Sequence, residues 1–237
     1  MKAGIIGYGR LGKLISKYLS QDFDLYIFDK NQETTSTLQD VLNLPVIILC
    51  VPISEFEKVV KEISTTINPE ALIIDTCSVK ERPIDIMKTF LPPTVSILGT
   101  HPMFGPDSAN DTLYGAKIVL CKERIEDKIY KNIIAYLNNH GLNIIEATAE
   151  EHDQEISSSL ALTHFIGRAL IDMKASPLNI ETKGYRRLLK IYETVQNDSW
   201  QLFQDMNNFN KYSQSTRKSF IDSINKINQK LNNREDK

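Results

Sequence analysis

Up to residue 147, short apolar runs alternate with stretches of helical period. Ala3–Ile6, Leu25–Phe28, Val46–Val51, Ala71–Asp75, Ser96–Gly99, Lys117–Leu120 and Leu142–Ala147 read as strands. Continuous apolar runs are what strands buried on both faces require. Between them, Arg10–Leu19, Ile53–Ile63, Ile84–Leu91 and Ile125–Asn139 read as helices. In the second of these, Phe56, Val59, Val60 and Ile63 share one face. His140-Gly141 supplies a helix stop. The alternation predicts an α/β fold with a doubly wound, mostly parallel sheet covered on both faces.

The period changes at Thr148. Ile156, Leu160, Thr163, Ile166, Leu170 and Met173 recur at helical spacing. Pro177 breaks the pattern, Thr182–Val195 resumes it, and Asp198-Ser199 offers a cap for a third helix. In the tail, Phe220, Ile224, Ile227 and Leu231 form an apolar stripe on a helix rich in Asn and Lys. A chain end this thin buries that stripe only against its own domain or a second subunit. The expected organisation is a sheet domain over residues 1–147 and an all-helical domain over 148–237.

Composition narrows the function classes. The chain has 237 residues, 28 basic against 30 acidic, for a net charge of −2. Neither a nucleic-acid-binding face nor a disordered acidic segment is indicated. No apolar run approaches the roughly 18 residues of a spanning helix. The opening MKAGIIGYGR enters structure at once and lacks the apolar core of a signal peptide. A cytoplasmic protein with no membrane partner is the expectation. Three separated cysteines and four histidines in no ligand spacing argue against a disulfide framework and against a metal site.

Glycine changes the picture. Only 10 occur, and Gly4, Gly7, Gly9 and Gly12 crowd the first strand-to-helix junction. Gly7-Tyr8-Gly9-Arg10-Leu11-Gly12 is GxGxxG after a predicted strand and at the head of a predicted helix. The acidic Asp29 follows about 20 residues on, at the end of the next strand. That context turns a weak pattern into a strong sign of a Rossmann-like dinucleotide site. Gly7 permits the turn, Gly9 admits a pyrophosphate, and Gly12 lets helix and strand approach. The N–H groups around Arg10 and Leu11 face the phosphates. Asp29 would bind ribose hydroxyls and repel a 2′-phosphate, which favours NAD over NADP. Lys30 beside it softens the preference, so NADP stays open. Val51, Pro52 and Thr76, at the carboxyl ends of strands, are further cofactor-facing candidates.

Three polar segments remain: Asp75-Thr76-Cys77-Ser78-Val79-Lys80, Gly99-Thr100-His101-Pro102-Met103-Phe104-Gly105-Pro106, and Thr182-Lys183-Gly184-Tyr185-Arg186-Arg187. The first two each follow a strand, on the ligand edge of the sheet. Pro102 and Pro106 are expected to stiffen a loop carrying His101, a candidate acid–base group.

With these residues assembled, the chain resembles the prephenate/arogenate dehydrogenase family of tyrosine biosynthesis. GYGRLG, DTCSVK, GTHPMFGP, the EHD of Glu151–Asp153, the LTHF of Leu162–Phe165 and TKGY of Thr182–Tyr185 carry the resemblance. TKGY followed by Asp198-Ser199-Trp200 looks most like the arogenate-using, plant-type branch. The resemblance implies NAD-dependent oxidation of a cyclohexadiene with loss of CO₂. It implies His101 as the catalytic histidine and Ser78 as the serine that binds the same hydroxyl. Ser78 could equally cap the following helix. It also implies a homodimer, with the helical domain as the dimerisation domain.

The substrate carboxylates need a guanidinium fork or another cation. Arg186 is favoured, with Arg187 and Lys183 as alternatives. His152 and His164 match family histidines for substrate contact. On one ideal helix they lie about 120° apart, while Thr163 lies within about 20° of His152. Either His152 precedes the helix proper, or one histidine is structural. Glu150, Glu151, Asp153 and Glu155 could mark an amino-bearing side chain, or simply suit a helix N-terminus. Two other functions stay open. One is a dehydrogenase of the hydroxyacid or imine-reducing type. The other is a catalytically silent NAD-binding protein.

Overall fold

The computed structural model describes residues 1–233. The strands are β1 (Lys2–Ile6), β2 (Asp24–Phe28), β3 (Val46–Leu49), β4 (Leu72–Asp75), β5 (Ser96–Pro102), β6 (Lys117–Arg124) and β7 (Asn143–Glu146). The helices are α1 (Arg10–Leu19), α2 (Leu38–Leu42), α3 (Ile53–Ile63), α4 (Glu81–Phe90), α5 (Asp127–Asn139), α6 (Ala149–Ile156), α7 (Leu162–Asp172), α8 (Lys183–Val195), α9 (Trp200–Asn208) and α10 (Ser213–Asn232). A π-helical turn, Ser157–Ala161, joins α6 to α7. The chain divides into two compact units, Met1–His152 and Asp153–Lys237.

The first unit is a seven-stranded sheet in the order β2-β1-β3-β4-β5-β6-β7. Every pair is parallel except β5 with β6. Strand order reverses at β1, so the crevice between β1 and β3 is the switch point where such sheets take ligands. The β-branched runs earn their place in the middle. Ile5, Ile47, Leu49, Ile73 and Ile97 are completely buried. Phe56 and Val60 of α3 are buried to the same degree, and Ile63 nearly so. Beneath α5, Leu72, Leu98, Ile118, Leu120, Tyr130 and Leu142 form a continuous cluster. The expected α/β architecture is therefore present.

Three features depart from the expectations. Helix α2 lies where no element was read; Thr37 and Asp40 close a reciprocal capping box at its start. β5 continues past Gly99 through His101 to Pro102, so His101 sits in a strand rather than a loop. Met103 N–H donates to the Lys117 carbonyl, so Pro102 turns its donorless nitrogen to the flank that β4 has already left. The π turn adds a residue to one helical turn, which upsets the ideal-helix phase between His152 and His164.

The second unit is helical. α7 and α8 approach closely: a Cβ on Gly167 would stand 2.4 Å from Val195 Cγ2. Ser199 caps α9 by accepting from the Leu202 N–H, as expected. Phe220 packs edge-on against Phe165. Farther along α10, Ile221, Ile224, Ile227 and Leu231 are exposed. No helix among the described residues is long and apolar enough to cross a membrane.

Candidate active site

The glycine turn connects β1 to α1. Gly7 has φ +101°, a conformation that side-chain-bearing residues rarely adopt, and an added Cβ would lie 2.3 Å from the Cys50 carbonyl oxygen. A Cβ on Gly12 would lie 2.1 Å from the Gly7 oxygen. Gly9 is different: a Cβ there meets nothing within 4 Å. It caps α1 without a side-chain hydrogen bond. The turn thus presents open space and a helix end whose first N–H groups lack intrahelical partners.

Asp29, just past β2, accepts from the Tyr8 N–H at 2.7 Å and the Asn31 N–H at 2.8 Å, one on each oxygen. Each oxygen keeps a second lone pair for a ligand hydroxyl. Nearby, Tyr8, Ile27, Glu33, Thr34 and Thr35 line a cavity of about 240 Å³. Lys30 is held by Glu55 at 3.0 Å. Val51 is half-buried beside Gly7, and Pro52 is exposed at the head of α3. Thr76 donates its hydroxyl to the Leu49 carbonyl at 2.9 Å, which ties the ends of β3 and β4 together. These features fit a dinucleotide: an open phosphate cradle, an acidic strand end and a hollow beside it.

Buried polar side chains gather at the strand ends. His101 is buried, and its Nδ1 lies 2.8 Å from Nε2 of His152. Its own Nε2 has no hydrogen-bond partner among the described residues. Burial holds the imidazole well below the usual histidine range, and His152 and Lys80 push the same way. His101 is therefore neutral near pH 7. The Ser78 hydroxyl is buried with no partner among the described residues. Helix α4 begins at Glu81 without any side-chain cap, so Ser78 does not serve as the cap.

The segment after β5 is fastened to α1. Asp107 pairs with Arg10 at 2.7 Å, and Tyr18 donates to the Ala109 carbonyl at 2.8 Å. The sequence presents Arg10 only as a phosphate contact. No signal at a separation of nearly a hundred residues would have disclosed its carboxylate partner. At the C-terminal end of the unit, Glu151 closes a capping box with Thr148. That accounts for one of the clustered acids by helix capping.

In the second unit, His164 is buried, with Nε2 3.8 Å from Asp198 and Nδ1 unpartnered among the described residues. Thr163 beside it is half-buried. Burial, with a smaller push from Arg168, lowers the His164 pKa to about 4. Between its ordinary 6.5 and about 4, the unfolded chain binds the proton and the folded one does not. Stability from this group is thus present above about 6.5 and is lost as pH falls, by roughly 3 kcal/mol in full. The thermal midpoint should drop over that window, and less steeply in His164→Gln; an equal slope in both proteins would contradict this. Lys183, Arg186 and Arg187 stand exposed on the first turns of α8, where Arg186 pairs with Glu181.

A switch-point crevice, an open glycine turn and a buried histidine at neighbouring strand ends define a Rossmann-like, nucleotide-binding type of protein. The family model described as prephenate dehydrogenase, nucleotide-binding domain, matches residues 19–146, and one described as TYRAAT1-like, C-terminal domain, matches residues 169–237. The chain belongs to the prephenate/arogenate dehydrogenase family. It is 31% identical over 222 residues to arogenate dehydrogenase 1, chloroplastic, of Arabidopsis thaliana, covering 86% of this chain and 35% of that protein. It is 29% identical over 236 residues to arogenate dehydrogenase 2, chloroplastic, of the same plant, covering 89% and 64%. It therefore spans less than two thirds of either relative's length. Among solved structures, prephenate dehydrogenase from A. aeolicus in complex with hydroxyphenyl propionate and NAD+ superposes with a TM-score of 0.75 at 19% identity, covering 98% of this chain and 91% of that one.

Proposed function

We propose that the chain is an NAD-dependent dehydrogenase that oxidatively decarboxylates prephenate to 4-hydroxyphenylpyruvate, or arogenate to tyrosine. The observation that carries this is the buried His101, neutral, oriented through Nδ1 and free at Nε2. When bound, NAD would accept the hydride that leaves C4 of the substrate ring. Gly7, Gly9, Gly12 and the N–H groups of Arg10 and Leu11 would hold its pyrophosphate. Asp29 would hold the adenosine ribose beside the cavity at Tyr8, with Val51, Pro52 and Thr76 along the strand ends. The engagement of Lys30 by Glu55 supports NAD over NADP.

Nε2 of His101 takes the proton of the 4-hydroxyl as hydride departs. For that, Nδ1 must carry hydrogen and donate to His152. The Ser78 hydroxyl, lacking a partner, is available to the same substrate oxygen. The C–COO⁻ bond then breaks, its electron pair passes through the ring to the C4 oxygen, which takes the proton back from His101, and CO₂ leaves. His152, His164, Thr163, Lys183, Arg186 and Arg187 are assigned to the substrate's carboxylates and side chain. Arg186 would exchange Glu181 for a substrate carboxylate. The exposed Ile221, Ile224, Ile227 and Leu231 support a homodimer, and we place the protein in the cytoplasm.

Assaying prephenate and arogenate side by side, each with NAD and NADP, tests the proposal. Turnover of one compound, faster with NAD, is expected. Dinucleotide binding with neither compound consumed would overturn it.

A further inference from the structure

The β4–β5 ladder ends at Asp75 opposite Gly99. Both groups invoked for the chemistry lie beyond that last bridge, and among the described residues the ladder goes no further. A buried ion pair takes over. Lys80 and Asp75 are each 0% exposed, and their side chains are in contact. Lysine is almost never fully buried without a reason.

Each end of this pair grips backbone next to a functional side chain. Asp75 accepts from the Cys77 N–H at 2.9 Å, in the residue before Ser78. It also accepts from the Thr100 N–H at 3.3 Å, in the residue before His101. Lys80 donates to the Thr100 carbonyl, the oxygen of the peptide bond that leads into His101. Thr100 returns the link by donating its hydroxyl to the Asp75 carbonyl at 2.6 Å. All these partners are buried, so water does not compete for them.

We propose that the Lys80–Asp75 pair is a positioning device, which extends the β4–β5 junction beyond its ladder and fixes the Ser78 hydroxyl and the His101 imidazole in one arrangement. The proposal rests on the oxidative decarboxylation described above. Hydrophobic side chains of similar size would fill the same space. What they would lack is simultaneous hold on Cys77 and on both polar groups of Thr100. The Lys80 charge also disfavours the protonated form of His101.

Lys80→Met alone strands a buried carboxylate and can fail to fold. The test therefore uses Asp75→Asn/Lys80→Met, which removes both charges and keeps an acceptor for Cys77. Its fold is checked by circular dichroism and NAD titration. We expect near-normal NAD affinity and substrate KM, with kcat lower by about 10²-fold, the usual cost of small misplacement. The loss should not add to that of Ser78→Ala, because both changes act on one constellation. A kcat within about twofold of wild type, or a loss that multiplies fully with Ser78→Ala, would overturn the positioning role. Wild-type turnover in the same assay separates this outcome from failure of the decarboxylation itself.

Discussion

In His101→Asn, kcat for the preferred substrate falls on the order of 10³-fold, while NAD affinity stays within about threefold. Asparagine can still donate to His152 Nε2, 2.8 Å from the present Nδ1, so the buried partner keeps a hydrogen bond. It cannot take a proton. Because burial, His152 and Lys80 hold His101 below its ordinary 6.5, wild-type kcat/KM should stay flat down through that pH. The acid limb therefore lies below 6.5, and it disappears in the variant together with the activity. Steady-state rates across pH, with an NAD titration of each protein, check all of this. A loss smaller than about tenfold would remove His101 from the proton transfer.

The second large effect separates three glycines that look alike in the motif. Gly12→Ala forces a Cβ to 2.1 Å from the Gly7 oxygen, and Gly7→Ala to 2.3 Å from the Cys50 oxygen in a left-handed backbone. Neither obstacle is a flexible side chain, so strand or helix must move. Each should destabilise the first unit by at least about 2 kcal/mol, and NAD binding should go with it. Gly9→Ala adds its methyl to open space and should cost about 1 kcal/mol or less. It should nevertheless weaken NAD binding strongly, because the methyl enters the volume assigned to pyrophosphate. Chemical denaturation and calorimetric titration of the three variants distinguish folding from binding. Equal stability losses in all three would contradict the assignment.

What the sequence disclosed follows from where the backbone constrains it. The glycine turn could be read because only glycine fits two of its positions, and that demand is local. The strands β1, β3, β4 and β5 could be read because a sheet covered on both faces needs unbroken apolar runs. α2 was overlooked because five residues give too little period, although the Thr37 and Asp40 spacing of its capping box was visible. β5 was cut short at Gly99 because proline usually ends a strand. Only the antiparallel return of β6 and the early end of β4 make Pro102 harmless there.

The candidate site was legible to a similar extent. Ser78 and His101 stood out as polar residues after strands. Their support did not. Lys80 and Asp75 lie in the same singled-out segment, yet nothing in their spacing says that both are buried and paired. On one straight helix His152 and His164 would lie about 120° apart, which leaves room for only one of them in a shared pocket. The π turn breaks that geometry, and His152 bonds His101 through Nε2. Long-range partnerships and helix irregularities are the properties that local periodicity does not encode.

The most direct measurement counts CO₂ and reduced nicotinamide in the same reaction of the purified chain, with prephenate or arogenate labelled at the ring carboxylate. Equal amounts of the two products from one of these substrates, and neither product in His101→Asn, is the predicted result. Reduced nicotinamide without CO₂, or NAD binding with no product from either compound, would contradict it.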